Sequence, residues 1–145
     1  MQDNPFVGVW KLVSCNAVRR HGCALPIYGK NPIGRLYYDD HGNMSVQIMK
    51  DGRPNFIKAS KFHGTPMEMR AAFEGYEAYF STYAIDREKG VIRHHLIGGL
   101  FPNWTDSCQT RYYKFEGNRL VLSTGPIGMA VDHKEIVTLV WERLN

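Results

Sequence analysis

Gly8-Val9-Trp10 opens the first strand-like run of this 145-residue chain, and Val140-Trp141-Glu142-Arg143 closes the last. Together the two stretches describe a sheet whose first and last strands meet, so that the chain closes into a barrel. Trp10 would plug the closed end, Gly8 would let the backbone pass close by, and a late arginine would lie over the indole. A small barrel of this kind is usually a container for one small molecule.

Most of the intervening sequence alternates polar and apolar with period two, broken by turn residues, which reads as mainly antiparallel β. Strands are expected at about 7–16, 33–40, 43–50, 80–87, 91–98, 107–116, 119–124 and 134–143. Asp39-Asp40-His41-Gly42-Asn43, Asp86-Arg87-Glu88-Lys89-Gly90 and Glu116-Gly117-Asn118 have the composition of hairpin turns. One segment breaks the pattern. Thr65-Pro66-Met67-Glu68 combines an N-cap, a proline at the first helical position and a capping-box glutamate. Met69, Phe73, Tyr76 and Phe80 follow on one helical face, which predicts an amphipathic helix over about 66–80 covering an open barrel end, aromatics inward.

Bulk properties set the remaining bounds. The length fits one domain over 1–145, and 43% hydrophobic with 22% charged residues is an ordinary globular composition. No apolar run approaches the ~20 residues of a membrane span. The N-terminus lacks a signal-peptide pattern, so a cytoplasmic protein without a membrane partner is expected. Cys15, Cys23 and Cys108 are odd in number and lack metal-ligand spacing, so reduced thiols are the default. The net charge of +4 is scattered, with Arg19-Arg20-His21 the only short basic cluster, which speaks against a nucleic-acid partner. The six histidines contain no H-x-H or H-x₃-H pair, and neither a P-loop nor a dinucleotide fingerprint is present. No metal and no cofactor are therefore expected. A homodimer through an exposed barrel wall is allowed, and nothing in the sequence decides it.

Charged residues fix the outer face of each strand, and alternation assigns the inner one. Lys11 outside turns Trp10, Leu12 and Ser14 inward, and Arg35 with Asp39 outside turns Leu36 and Tyr38 inward. Arg93 outside places Ile92, His94 and Leu96 inside, while Lys114 and Glu116 outside place Gln109, Arg111, Tyr113 and Phe115 inside. Glu142 outside leaves Val137, Leu139 and Trp141 within. Ser45 and Gln47 cannot be assigned, because their strand is apolar on both faces. The lumen is then apolar with a polar patch of His94, Gln109, Arg111 and Tyr113. A guanidinium cannot lose its proton, so Arg111 must find a partner. That partner is Asp106, Glu77 or another protein group reaching in, backbone carbonyls at the barrel end, or an oxygen of a ligand.

Several stretches in order also resemble the lipocalin-like domain family of small bacterial and fungal proteins. They are 7–14, Gly34-Arg35-Leu36-Tyr37-Tyr38, 42–47, Phe73-Glu74-Gly75-Tyr76 with Tyr79-Phe80, His94-His95, Phe101-Pro102-Asn103-Trp104, Gln109-x-Arg111 and 139–143. The resemblance implies a calycin-type antiparallel barrel with a central pocket, but no single activity. Ile97 and Gly99 depart from the family pattern, where an acidic residue and a serine are more usual.

Three functions fit. In the first, the barrel binds a small, mostly apolar, oxygen-bearing molecule. Arg111 and Gln109 hold the oxygen, Tyr113, Tyr38 and His94 complete the polar patch, and Phe73, Tyr76 and Trp104 supply aromatic walls. In the second, the same pocket is a cofactor-free isomerase, cyclase or dehydratase for a polyketide- or terpene-like metabolite, with His94 as acid–base and Arg111 polarising a carbonyl or enolate. In the third, the lumen is filled by side chains and the protein is structural.

Overall fold

The computed structural model describes residues 3–18, 24–127 and 135–145. The Arg19-Arg20-His21 cluster, Cys23 and the stretch 128–134 lie outside the described residues. The strands are β1 (Gly8–Val18), β2 (Leu25–Pro26), β3 (Ile33–Tyr38), β4 (Asn43–Met49), β5 (Tyr76–Asp86), β6 (Val91–Gly99), β7 (Cys108–Glu116), β8 (Arg119–Ser123) and β9 (Ile136–Arg143). One helix, α1 (Pro66–Glu74), precedes β5, and a 3-10 turn (Pro102–Trp104) follows β6. Every pairing is antiparallel, and β9 returns to β1 from Arg143 opposite Trp10 to Ile136 opposite Val18. β1 and β3 to β9 thus make a closed eight-stranded barrel, with the two-residue β2 added beside Asn16 and Ala17.

The two ends differ in construction. At the Trp10 end the strands are joined by the three predicted turns, with Gly42, Gly90 and Gly117 at positive φ. The connections from β1 to β3, β4 to β5, β6 to β7 and β8 to β9 all emerge at the opposite end and are long. The Trp10 end is sealed by aromatics. Phe6 is fully buried, with the rings of Tyr113, Phe115 and Tyr38 edge-on at 4.9, 5.0 and 5.4 Å. The Trp10 indole N–H donates to the Phe6 carbonyl at 2.9 Å, and the Arg143 guanidinium lies 4.2 Å from the Trp10 ring. Arg143 also donates to the Val7 and Pro5 carbonyls. At Gly8, φ is +141 and a Cβ would fall 2.6 Å from Arg143 Nη1, so only glycine suits the crossing.

Three expectations need correction. The helix stops at Glu74 rather than near 80, because Gly75 caps it with its N–H on the Ala71 carbonyl. Tyr76 and Phe80 then belong to β5, whose residues Tyr76 to Thr82 pair with β4. Tyr76 and Phe80 are four residues apart, a spacing that suits one face of a helix and one face of a strand alike. Second, the helix aromatics do not turn inward: no α1 residue is buried, and Met69, Phe73 and Phe80 are all exposed. Third, a bulge in β1 between Leu12 and Ser14 shifts the alternation by one residue, so Cys15 rather than Ser14 faces the core. In β4, Met44, Val46 and Ile48 are buried, which leaves Ser45 and Gln47 on the outer face.

Candidate functional site

Above the aromatic plug the lumen opens into a cavity of about 590 Å³. Its walls are largely apolar, from Leu36, Val46, Ile48, Leu122, Val137, Leu139 and Trp141, and Trp104 stands over it from the 3-10 turn. The polar groups come from three sides: His94 on β6, Gln109 and Arg111 on β7, and Glu77 and Tyr79 on β5, with Tyr28 from the β2–β3 connection. The β7–β8 ladder stops at Tyr112–Ser123, so among the described residues Cys108 to Arg111 pair only with β6. The cavity reaches the surface beside this gap, with Cys108, Thr110 and Thr124 in its wall.

His94 forms the floor. Register sets it between Tyr83 on β5 and Gln109 on β7. It is 1% exposed, and both ring nitrogens are engaged: Nε2 with the Tyr38 hydroxyl and Nδ1 with the Tyr79 hydroxyl, each at 2.7 Å. A neutral imidazole has one N–H and one lone pair, so it donates to one tyrosine and accepts from the other. Burial, and then the Arg111 charge, push the imidazolium pKa down to about 3, which keeps the ring neutral at ordinary pH. Burial also raises the Tyr79 phenol to about 12 and holds Tyr38 well above its usual range. The triad is an uncharged, fully satisfied network.

Arg111 stands differently. It is half-buried, and its hydrogen bond goes from Nη1 to the Thr110 carbonyl at 3.0 Å. Among the described residues no carboxylate makes an ion pair with it. Glu77 shares the cavity and feels the Arg111 charge, but its carboxylate accepts from the Ala78 N–H at 3.0 Å instead. Burial raises the Glu77 pKa, against the Ala78 N–H and Arg111, which lower it. Burial and then the Glu77 charge likewise push the Tyr28 phenol up to about 12. Gln109 donates to Ser107 Oγ at 2.9 Å, and Ser107 donates to the Trp104 carbonyl, so Gln109 steadies the segment that carries Trp104. The indole N–H of Trp141, which also lines the cavity, is buried with no partner among the described residues.

His94, Gln109, Arg111 and Trp104 therefore meet at one cavity, with Tyr38 behind His94. Tyr113 points inward but packs on Phe6 and Phe115 below the cavity. Phe73 and Tyr76 do not join the site; they border a separate surface hollow with Arg53, Phe56 and Leu100. Their assignment to the ligand pocket followed from the overlong helix. Asp106 does not line the cavity, whereas Glu77 does. Tyr79, Tyr28 and Cys15 escaped the sequence reading. Period-two alternation through Glu77, Tyr79 and Ser81 marks the β5 inner face, and only the bulge reveals Cys15.

A closed antiparallel barrel around a largely apolar cavity with a polar patch is a calycin-type, lipocalin-like architecture. The chain belongs to the lipocalin-like domain family, whose model matches residues 7–144. Over 87 residues it is 28% identical to the 4'-hydroxy-3'-methoxypropiophenone carrier protein ppsC of Aspergillus oryzae (strain ATCC 42149 / RIB 40), covering 56% of this chain and 78% of that protein.

Proposed function

We propose that the barrel binds a small, mostly apolar molecule whose oxygen function is held by Arg111. The observation that carries this reading is the Arg111 guanidinium at an apolar cavity, bonded to its neighbour's carbonyl and, among the described residues, to no carboxylate. A ligand carbonyl or oxyanion there would meet a charge-assisted donor worth about 1.5–3 kcal/mol. Among the described residues the Trp141 N–H is a second unpartnered donor in the wall, and Glu77 in the same cavity is an acceptor for a ligand hydroxyl. A hydroxylated aryl ketone, as in the name of the ppsC carrier, has this pairing of acceptor and donor around an apolar ring. The cavity volume lies within the ~300–1,000 Å³ typical of small-ligand pockets.

The geometry supports binding better than turnover through His94. Both nitrogens of that ring are occupied by tyrosines and it stays neutral, so His94 holds the floor rather than exchanging protons with a guest. The open cavity speaks equally against a lumen filled by side chains. Titration calorimetry with 4'-hydroxy-3'-methoxypropiophenone, and native mass spectrometry for co-purifying molecules, test the reading. Arg111→Met should weaken binding about 10- to 100-fold. Unchanged affinity in that variant for every ligand found would sink it.

A further inference from the structure

The most exposed apolar side chains lie far from the cavity floor, in the β4–β5 connection. Among the described residues the three most exposed large hydrophobics are Ile57 at 93%, Met67 at 83% and Phe62 at 79%. Three such residues within eleven positions are not the isolated surface hydrophobics of an ordinary protein. Nor is their exposure that of an unstructured loop. The Glu68 carboxylate accepts from the Ile57 N–H and the Thr65 N–H, each at 2.9 Å. Arg53 donates to the Ala72 carbonyl at 3.0 Å, tying the start of the connection to α1. Phe56 lies on Gly64, where a Cβ would come 2.5 Å from the ring, so this aromatic is tucked in while its neighbour Ile57 is turned out.

The charges within the stretch itself are basic. From 52 to 67 the chain carries Arg53, Lys58, Lys61 and His63 and no acidic residue. Arg53, Lys58 and Lys61 are exposed, and Lys61 Nζ sits 5.5 Å from the Phe62 ring centroid. The carboxylates that bound this stretch in sequence are Asp51 and Glu68; the Thr65 and Ile57 N–H groups keep Glu68 ionised, and the three exposed cations still leave the stretch net positive.

We propose that this face docks on an anionic lipid bilayer surface. Ile57, Phe62 and Met67 enter the headgroup boundary, and Arg53, Lys58 and Lys61 lie against lipid phosphates. Basic residues beside projecting apolar ones match a surface that is negative outside and apolar beneath. A second copy of the chain would set these cations against each other, which disfavours a homodimer through the same face. A surface contact needs no spanning segment, and no helix among the described residues is long and apolar enough to cross a membrane. The connection emerges at the open end of the barrel, so docking would bring the cavity's end toward the phase where an apolar ligand collects. The proposal stands whether or not Arg111 holds that ligand.

Flotation of the full chain with phosphatidylcholine vesicles containing about one-third phosphatidylglycerol tests it. The protein should float with these vesicles and stay behind with pure phosphatidylcholine. Lys58→Ala/Lys61→Ala should lower partitioning about 30-fold, at about 1 kcal/mol per cation near the surface. Ile57→Ser/Phe62→Ser should lower it at least about tenfold, with an unchanged thermal midpoint because both side chains are exposed. Wild-type protein that fails to float, or a double variant that floats as well as wild type, overturns the proposal. So does a wild-type dimer in sedimentation equilibrium that is lost in Ile57→Ser/Phe62→Ser, which would make the face a contact between copies.

Discussion

Arg143 and Arg111 carry the same guanidinium at opposite ends of one barrel, and their surroundings divide structure from function. Arg143 sits over the Trp10 ring and donates to two backbone carbonyls, so its charge is spent on closing the barrel. Arg111 stands at a cavity with a bond to the adjacent carbonyl and, among the described residues, no carboxylate partner. A group that is always protonated must be satisfied by someone. At the closed end the protein does it; at the open end the arrangement leaves room for a guest.

The largest test of the comparison is at the plug. Trp10→Ala should cost about 3–5 kcal/mol in urea unfolding, the range for truncating a buried aromatic. It would also orphan the Phe6 carbonyl. A loss below about 1 kcal/mol would mean that the closed end does not hold the barrel together.

Next comes the floor between the two ends. His94 is neutral when folded, with a pKa of about 3 against about 6.5 unfolded. Between those values the unfolded chain binds more protons, so stability is full above pH 6.5 and falls as the pH drops toward 3. The loss should reach about 3 kcal/mol between pH 6.5 and pH 4, because each pH step of one costs about 1.36 kcal/mol in that interval. His94→Gln should be less stable at pH 7, because Tyr38 and Tyr79 lose their shared partner, but its stability should vary less with pH across that interval. Parallel pH profiles for the two proteins would mean that His94 is not held neutral by burial.

The arginines themselves give a smaller, sharper contrast. Arg143→Met removes two charge-assisted bonds and the stacking on Trp10, and should cost about 2 kcal/mol. Arg111→Met should change stability by no more than about 0.5 kcal/mol while weakening ligand binding. Equal losses of stability in the two variants would break the distinction and return Arg111 to the structural reading.

The closed end was legible because short-range rules determine it. Gly8 and Trp10 at the start, Arg143 at the end and three turns with glycines at positive φ each carry their own signal. The inward placement of Leu36, Tyr38, Ile92, His94 and Leu96 followed from alternation for the same reason. Irregularity hid the rest. One extra residue in β1 moves Cys15 into the lumen in place of Ser14, and no residue type there announces a bulge. Tyr76 and Phe80 satisfied a helical and a strand period at once, which lengthened the helix and concealed the inner face of β5. Exposure in the β4–β5 connection was hidden more deeply. Ile57, Phe62 and Met67 have the composition of core residues, and only the Glu68 bonds and the seating of Phe56 on Gly64 show that they point out.

Glu77, named in the sequence as one candidate partner of Arg111, lies on this misread strand and offers the finest test of the open end. Its carboxyl is half-buried and holds its proton more tightly than in the unfolded chain, chiefly through burial. The folded state therefore binds more protons just above pH 4.5, and stability falls as the pH rises through that window. Glu77→Gln lacks this fall, so it should be slightly more stable than wild type at neutral pH. With solvent screening and the loss of attraction to Arg111, the gain should be on the order of a few tenths of a kcal/mol. A precise comparison of urea midpoints at pH 4 and pH 7 would resolve it. If Glu77→Gln is instead clearly less stable at pH 7, Glu77 is the partner of Arg111. The open end would then be as self-sufficient as the closed one, and Arg111 would have no donor reserved for a ligand.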